Sequence, residues 1–246
     1  MDSLVVRGVA GGFLSLAVTF AAYRRAALTR SGAWAAAVTG VVLVLAGWRW
    51  LALVGAFFIS SSVLTRLEGS GSMVRRSIDR GGRRWQQVAA NGGIAALCAA
   101  GTALTGWPQG FVVAAGAIAA ATADTWATEI GRWSRTPPRL ITTGRPVEPG
   151  VSGGVTAAGT LASVGGAMFI AALAGSLNTA APGSAGAARH AAWAAWIAVG
   201  GITGSLLDSV LGATLEDRVR GLNNDTVNLA ATIWGAALVL YATRPY

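Results

Sequence analysis

The chain has 246 residues, of which 53% are hydrophobic and 12% charged, and its formal net charge is +9. Soluble domains carry about 25% charged residues, so this composition excludes an ordinary soluble domain and is typical of an integral membrane protein. The chain contains a single cysteine and a single histidine, which leaves neither an internal disulfide nor a Cys/His zinc cluster available.

Eight apolar segments approach the length of about 20 residues that a helix needs to cross a bilayer. The second and third are short and also fit one bent hairpin, so we expect seven or eight spans. The 34 glycines favour close contact between helices in lipid. The sequence therefore predicts an all-α polytopic transmembrane helix bundle, forming a single integral membrane domain over residues 1–246. The predicted spans are 3–22, 32–47, 50–65, 86–106, 110–130, 153–175, 192–212 and 226–243.

The arginines predict how this bundle is oriented. Lysine is absent, and fifteen of the 19 basic residues fall in the connections 24–30, 66–84, 132–145 and 218–220. Connections rich in positive charge stay in the cytoplasm, so eight spans place both termini outside and the first segment is a retained span. The charge of +9 is then a signal of topology, and we expect no nucleic-acid partner.

Carboxylates interrupt the later spans in their cytoplasmic halves. Asp124 and Glu129 lie near the end of the fifth predicted span, and Asp208 lies near the end of the seventh. An acidic residue inside a membrane costs roughly 2.5–3.5 kcal/mol on insertion scales, so such residues usually bind something. We therefore expect a polar cup open to the cytoplasm rather than a pore. The other polar residues at similar depth are Asn91, Asn224, Asp225 and Asn228.

Structural explanations for these residues stay open. Asp124 and Asp208 could be buried partners of arginines, and Asn223 or Asn224 could cap the eighth span. Hydroxyl groups in membrane helices often bond to carbonyls of their own helix. Asp124 and Glu129 are about 140° apart on a straight helix. They can share one ion only if the helix is distorted or one of them acts without direct contact.

The connection between the fifth and sixth spans has features of a phosphate-binding loop. Arg139 and Arg145 flank Thr142-Thr143-Gly144, and Ser152-Gly153-Gly154 leads into the sixth span. Prolines prevent a continuous helix here and glycines permit tight turns. Free N–H groups at a helix start favour phosphate, as do arginines. A generic flexible loop is the alternative, and a P-loop is excluded because it requires a lysine.

The polar inventory fits one kind of chemistry. Mg²⁺ prefers one or two carboxylates together with phosphate oxygens and water. Phosphoryl transfer to a lipid that already carries phosphate needs no strong base, because the acceptor oxygen is anionic, and positioning and charge neutralisation suffice. Arg83 and Arg84, at the start of the fourth span, are candidates for holding the lipid phosphate.

Five blocks of the sequence resemble consecutive blocks of a polytopic membrane family of formerly unknown function, which includes the chloroplast phytyl-phosphate kinase of tocopherol synthesis. The blocks are RRWQQVAANGG, ATADTWATEIGRWS, PRLITTGRPVEPGVSGGVTAAGTLAS, GSLLDSVLGAT and NNDTVNLAATIWGA. They follow the family's order over residues 65–243. The resemblance implies a CTP-dependent polyprenyl-phosphate kinase and distant kinship with dolichol kinases and CDP-diacylglycerol synthases. One departure is the short connection 216–222, where many relatives have a cysteine-containing insertion.

We therefore interpret the chain as a Mg²⁺-dependent kinase that uses CTP or another nucleoside triphosphate to convert an isoprenoid monophosphate to the diphosphate. It would act at the cytoplasmic leaflet, in a prokaryotic cell membrane. The assigned residues are Asp124, Glu129, Asp208 and Asn228 for catalysis; Asp124, Glu129, Asp208, Asn224 and Asp225 for metal; Arg139, Thr142, Thr143, Gly144, Arg145, Ser152, Gly153 and Gly154 for nucleotide phosphates; and Arg83, Arg84 and Asn91 for the lipid phosphate. The alternatives are a lipid or small-molecule transporter or flippase, and a CTP-dependent cytidylyltransferase. Prenyl length, the nucleotide base and homodimer formation stay open.

Overall fold

The structure is a computed structural model that describes residues 2–67, 82–178, 184–216 and 218–244. Eight α-helices lie in these ranges, and we number them in chain order. They are α1 (Asp2–Arg24), α2 (Arg30–Ala46), α3 (Trp48–Leu67), α4 (Trp85–Thr105), α5 (Gly110–Gly131), α6 (Ala157–Leu177), α7 (Ser184–Thr214) and α8 (Asn224–Ala242). Two short strands, β1 (Arg139–Leu140) and β2 (Gly154–Val155), pair antiparallel between α5 and α6. The predicted all-α polytopic bundle is confirmed.

The helices have the length and composition of membrane spans. In the described part of the chain, α3 to α8 supply six helices long and apolar enough to cross a bilayer. Helix α2 is apolar and has 17 residues, or about 26 Å, close to the ~30 Å hydrocarbon core. It is separate from α3, because the chain turns at Gly47, whose φ of +126° is one that glycine adopts readily. In the described ranges α2 and α3 are therefore two separate helices.

Helix α5 forms the centre of the bundle. Its residues from Gly110 to Ala123 are buried, and α3, α4, α6, α7 and α8 pack around it. The backbones come very close: a Cβ added to Gly116 would lie 2.5 Å from the carbonyl oxygen of Gly235 on α8. This contact explains the need for small residues, because bulkier side chains would separate the helices.

One predicted helix start is wrong, and another helix is longer than the span predicted for it. We placed the start of the sixth span at 153, but Gly154–Val155 forms β2. Helix α6 starts after Thr156, whose Oγ1 caps it by accepting the Gly159 N–H at 3.0 Å. The N–H groups of Gly153 and Gly154 therefore do not start a helix. Helix α7 begins at Ser184, earlier than the predicted residue 192.

The arginine-rich connections meet at one end of the bundle, which we call the arginine-rich end. The Arg83 N–H donates to the carbonyl of Ala27 at 3.0 Å, tying the α1–α2 connection to the start of α4. The Arg84 guanidinium binds the Asp225 carboxylate at 3.3 Å and joins α4 to α8. That this end is cytoplasmic stays a prediction from the charge bias. Much of the 66–84 connection lies outside the described residues.

Candidate functional site

Asp124 on α5 and Asp208 on α7 face each other near the arginine-rich end. Their carboxyl groups lie within hydrogen-bonding reach of one another. The Oδ2 atom of Asp208 is buried and has no hydrogen-bond partner among the described residues. Neither carboxylate forms an ion pair with an arginine in the ranges that the structure describes. Two acids placed side by side repel each other when ionised, so this arrangement favours a bound cation or a shared proton.

Helix register brings this pair together. A Cβ added to Gly204 of α7 would lie 2.7 Å from Ala120 Cβ on α5 and 2.9 Å from the carbonyl oxygen of Ala231 on α8. One helical turn closer to the arginine-rich end, the corresponding positions on α7 and α5 are Asp208 and Asp124. On the antiparallel α8 the same step reaches Asn228, which is partly buried. Asn228 therefore lies at the depth of the carboxylate pair.

Glu216 is a third acid near the pair that the sequence alone does not single out. Its carboxylate interacts electrostatically with both Asp124 and Asp208. Its Oε2 lies 3.3 Å from the position of a Cβ on Gly212, so the side chain folds back along α7. In the described ranges no three Asp, Glu, His or Cys side chains group closely enough to hold a metal ion by themselves. The protein thus offers a carboxylate pair with one acid nearby.

The Ser152–Gly154 turn lies against the end of α7. Gly153 has φ +78°, and an added Cβ would lie 2.4 Å from Ala213 Cβ, so only glycine fits this contact. Ser152 lies beside Gly212, with its Cβ 3.5 Å from the position of a Cβ there. Gly212 is one helical turn beyond Asp208, or about 6 Å along the axis. The structure therefore brings this predicted phosphate-binding turn close to the carboxylate pair.

The second predicted phosphate-binding segment is the exposed loop that follows β1. Thr142, Thr143, Gly144 and Arg145 are all exposed, and the Arg139 Nη1 donates to the Gly144 carbonyl at 2.9 Å. The Ile141 N–H donates to the Gly153 carbonyl at 2.9 Å. This bond couples the loop to the turn on α7, so both predicted segments belong to one small hairpin at the arginine-rich end.

Glu129 lies on a different face of α5 from the pair, as the predicted angle of about 140° requires. Its Oε1 accepts a hydrogen bond from Thr65 Oγ1 of α3 at 2.6 Å. Its Oε2 lies 3.5 Å from the Arg132 guanidinium. Of the carboxylates assigned to metal, the structure brings Asp124 and Asp208 together and places Glu129 toward α3.

The residues at the start of α8 have separate environments. Asn224 is exposed, and the neighbouring Asn223 is the N-cap, accepting the Thr226 N–H at 3.1 Å. Asp225 binds Arg84. Of the three α8 residues assigned from the sequence, register places Asn228 level with the carboxylate pair, and Asp225 is held in an ion pair with α4.

Two faces of α4 carry polar groups. Asn91 and Arg83 line a cavity together with Gln87, and Arg83 donates to Ser62 Oγ of α3 at 3.2 Å. The neighbouring Gln86 lies on the face toward α8.

Gln86 is a further polar residue that the sequence does not single out. The Ala90 carbonyl accepts a hydrogen bond from Thr232 Oγ1 of α8 at 2.9 Å, and Gln86 precedes Ala90 by one turn. Its Oε1 atom is buried without a hydrogen-bond partner among the described residues. By the same register Gln86 lies level with Asn228, so buried polar atoms with unmet hydrogen bonds occur on α4 and α7 at similar depth.

The described residues thus form an α-helical bundle with partly buried acids and amides near one end, which defines a polytopic α-helical membrane protein with a polar site. The sequence profile of the family described as integral membrane protein DUF92 matches residues 13–236, and the chain belongs to this family. The match begins in α1, ahead of residue 65 where the family resemblance was placed.

Three curated relatives are similar over most of their length. Protein PGR of Arabidopsis thaliana is 37% identical over 224 residues, covering 82% of this chain and 77% of that protein. An uncharacterized membrane protein of Methanocaldococcus jannaschii is 35% identical over 223 residues, covering 88% and 87%. Another from Synechocystis sp. is 34% identical over 222 residues, covering 87% and 81%. No solved structure matches the chain.

Proposed function

We propose that this protein is a membrane kinase that transfers the terminal phosphoryl group of a nucleoside triphosphate, CTP or another, to an isoprenoid monophosphate. The observation that supports it most is the pairing of Asp124 with Asp208, one helical turn from the Ser152–Gly154 turn. The two acids, one of which has an unmet hydrogen bond, would bind a metal ion. The glycine turn beside them at the arginine-rich end would bind the phosphates that the metal holds.

The carboxylate pair fits Mg²⁺. This ion binds through one or two carboxylates and completes its shell with substrate phosphates and water. Asp124 and Asp208 would supply the two carboxylates, and Asp208 Oδ2, which has no hydrogen-bond partner among the residues described, would supply an available oxygen. Asn228, level with the pair, would orient bound water. When bound, the ion would neutralise charge on the transferring phosphoryl group.

The hairpin between α5 and α6 would hold the nucleotide phosphates. The backbone N–H groups of Thr142, Ser152 and Gly153 are the candidate donors, because those of Thr143, Gly144 and Gly154 already donate to carbonyl oxygens within the hairpin. Arg145 adds positive charge. Arg139 already donates to Gly144, so in this proposal it shapes the loop. Concave runs of backbone N–H groups are a common way to bind phosphate without a lysine.

The reaction needs no general base from this chain. An oxygen of the lipid monophosphate forms a bond to the terminal phosphorus of the nucleotide, and the bond from that phosphorus to the bridging oxygen breaks. The nucleoside diphosphate leaves with the electron pair. Because the acceptor oxygen is already anionic, Arg83 and Arg84 contribute by bringing two negatively charged substrates together, as positioning and charge stabilisation carry most phosphoryl transfers.

The experiment uses purified protein in lipid nanodiscs with Mg²⁺, a prenyl monophosphate and CTP labelled in either the α- or the γ-phosphate. Transfer of the γ label to a prenyl diphosphate supports the kinase. Label from the α position in a CDP-lipid identifies a cytidylyltransferase instead. Absence of both products, together with substrate uptake in vesicles, identifies a transporter.

The carboxylate assignment is tested with Asp124→Asn and Asp208→Asn in the same assay. Each should lower kcat by at least about a hundredfold, the usual scale for losing a charge-stabilising group in an active site. Glu148→Gln is the control, because the Glu148 carboxylate is exposed and no contact to metal or phosphate is assigned to it. Full turnover by both aspartate variants would remove the metal assignment.

A further inference from the structure

A cavity of about 690 Å³ lies between α1, α2, α3 and α4, with Phe169 and Leu173 of α6 completing its wall. No residue of α7 or α8 in the described ranges lines it. Its walls are mainly apolar, with Leu43 and Phe57 among the buried residues that line it. Along α3 the lining runs from Trp48 to Ile59, about 17 Å at about 1.5 Å per residue. The cavity therefore extends over somewhat more than half of a ~30 Å hydrocarbon core.

The polarity of this cavity changes along its length. Gln87 and Asn91, four residues apart on one face of α4, line it at the arginine-rich end together with Arg83, which precedes the helix. The Arg83 guanidinium lies over the Phe58 ring at 5.3 Å, so it stands where the polar end meets the apolar wall. Elsewhere the lining is hydrocarbon, apart from the hydroxyls of Ser15, Thr19 and Thr39.

Helix α4 separates the cavity from the carboxylate pair. Gln87 and Asn91 face the cavity, whereas Ala90 contacts α8 and Gln86 shares that face. Arg84, next to Arg83, binds Asp225 of α8. A phosphate bound at the start of α4 would thus lie between the apolar cavity on one side and the helices that carry Asp124, Asp208 and Asn228 on the other.

These features select one kind of occupant. The volume lies within the range of about 300–1,000 Å³ typical of small-ligand sites. The length and apolar lining suit a single hydrocarbon tail, and the cation at one end suits an anionic head group. We propose that this cavity binds the isoprenoid tail of the acceptor lipid, with its phosphate beside Arg83; the inference rests on the proposed kinase function and adds where the substrate lies.

The test fills the cavity from a position that tolerates a side chain. Gly55 lines the cavity, and a Cβ added to it would meet no atom within 4 Å. Gly55→Phe should therefore occupy tail volume without displacing a helix. Gly12→Phe is the matched control, because Gly12 lies within α1, also has open space beside it, and does not line the cavity.

The readout is photolabelling by a geranylgeranyl monophosphate that carries a diazirine at the far end of its tail. In nanodiscs the label should fall on peptides of α2 and α3. Labelling should drop at least about fivefold in Gly55→Phe, the lower scale for overfilling a packed site, and stay unchanged in Gly12→Phe. Label mainly on α7 and α8, or full competition by an equal concentration of phosphatidylglycerol, would overturn the proposal.

The same experiment separates this inference from the kinase proposal, since labelling requires no phosphoryl transfer. Tail labelling in α2 and α3 without diphosphate formation would keep the lipid site and reject the kinase. Diphosphate formation at an unchanged rate in Gly55→Phe, without labelling in α2 or α3, would keep the kinase and reject the cavity as the tail site.

Discussion

Replacing Asp208 with asparagine should stabilise the unliganded protein even though it removes the proposed activity. In the wild type Asp208 faces Asp124, and its Oδ2 is buried with no hydrogen-bond partner in the described ranges. An asparagine amide would donate to the Asp124 carboxylate without the proton that the two acids must otherwise take up and share, and would remove their repulsion when both are ionised. Two acids that bind a cation destabilise the folded protein when the cation is absent. A gain in stability on replacing Asp208 therefore indicates a binding site, and a loss indicates a structural role.

The size of the effect follows from this one interaction. A hydrogen bond to a charged group contributes about 1.5–3 kcal/mol to the free energy of unfolding. For a chain of 246 residues, each kcal/mol shifts the melting temperature by about 2–4 °C. The Asp208→Asn variant should therefore melt about 3–12 °C higher than the wild type. Tryptophan fluorescence during heating, in detergent at pH 8 without Mg²⁺, measures it.

Glu129→Gln is the matched control, because Glu129 is another buried acid but has partners. It accepts from Thr65 and pairs with Arg132, so the amide loses a charged contact and the melting temperature should fall. Adding Mg²⁺ should raise the melting temperature of the wild type, because a ligand that binds only the folded state stabilises it, and should leave Asp208→Asn unchanged. A fall for Asp208→Asn as large as that for Glu129→Gln would refute the reasoning and make Asp208 a structural residue.

Two further predictions concern the packing that positions the site, both measured by the same thermal unfolding. Gly116→Ala should lower the melting temperature by an amount equivalent to about 1–3 kcal/mol, because its Cβ would lie 2.5 Å from the Gly235 carbonyl oxygen. Gly93→Ala, whose Cβ would meet no atom within 4 Å, should not lower the melting temperature. Equal effects of the two substitutions would contradict the close contact at Gly116. Thr156→Ala should lower the free energy of unfolding by about 1 kcal/mol, because it removes the N-cap of α6. Thr156→Ser should keep the cap and most of the stability. An equally large loss in the serine variant would show that the hydroxyl is not the stabilising group.

The sequence predicts the helices well, because crossing a bilayer requires long apolar segments whatever they pack against. It predicts depth for the same reason: Asp124, Asp208 and Asn228 lie close to the ends of their spans, and register places them level. Helix faces are harder to predict. In lipid both the packed and the outward faces of a helix are apolar, so hydrophobic periodicity does not show which face is buried.

Two features of the structure could not be predicted from the sequence. Gln86 and Gln87 are neighbours in the chain, and nothing in the sequence around them shows that Gln87 faces the cavity while Gln86 faces α8. The start of α6 was placed too early for a different reason. Gly154 and Val155 pair with β1, and such pairing between segments leaves no local pattern in a stretch rich in glycine and proline.

The burial of α5 has a consequence for the order in which the bundle is assembled. Its most apolar window has a mean hydropathy of 1.3 and is 78% buried inside the protein, so it meets very little lipid once folded. Three of the helices that cover it, α6, α7 and α8, come later in the chain and leave the ribosome after it. During synthesis Asp124 therefore enters the bilayer before α6, α7 and α8 are available to cover it, so this carboxyl group meets lipid or the insertion machinery before it meets Asp208.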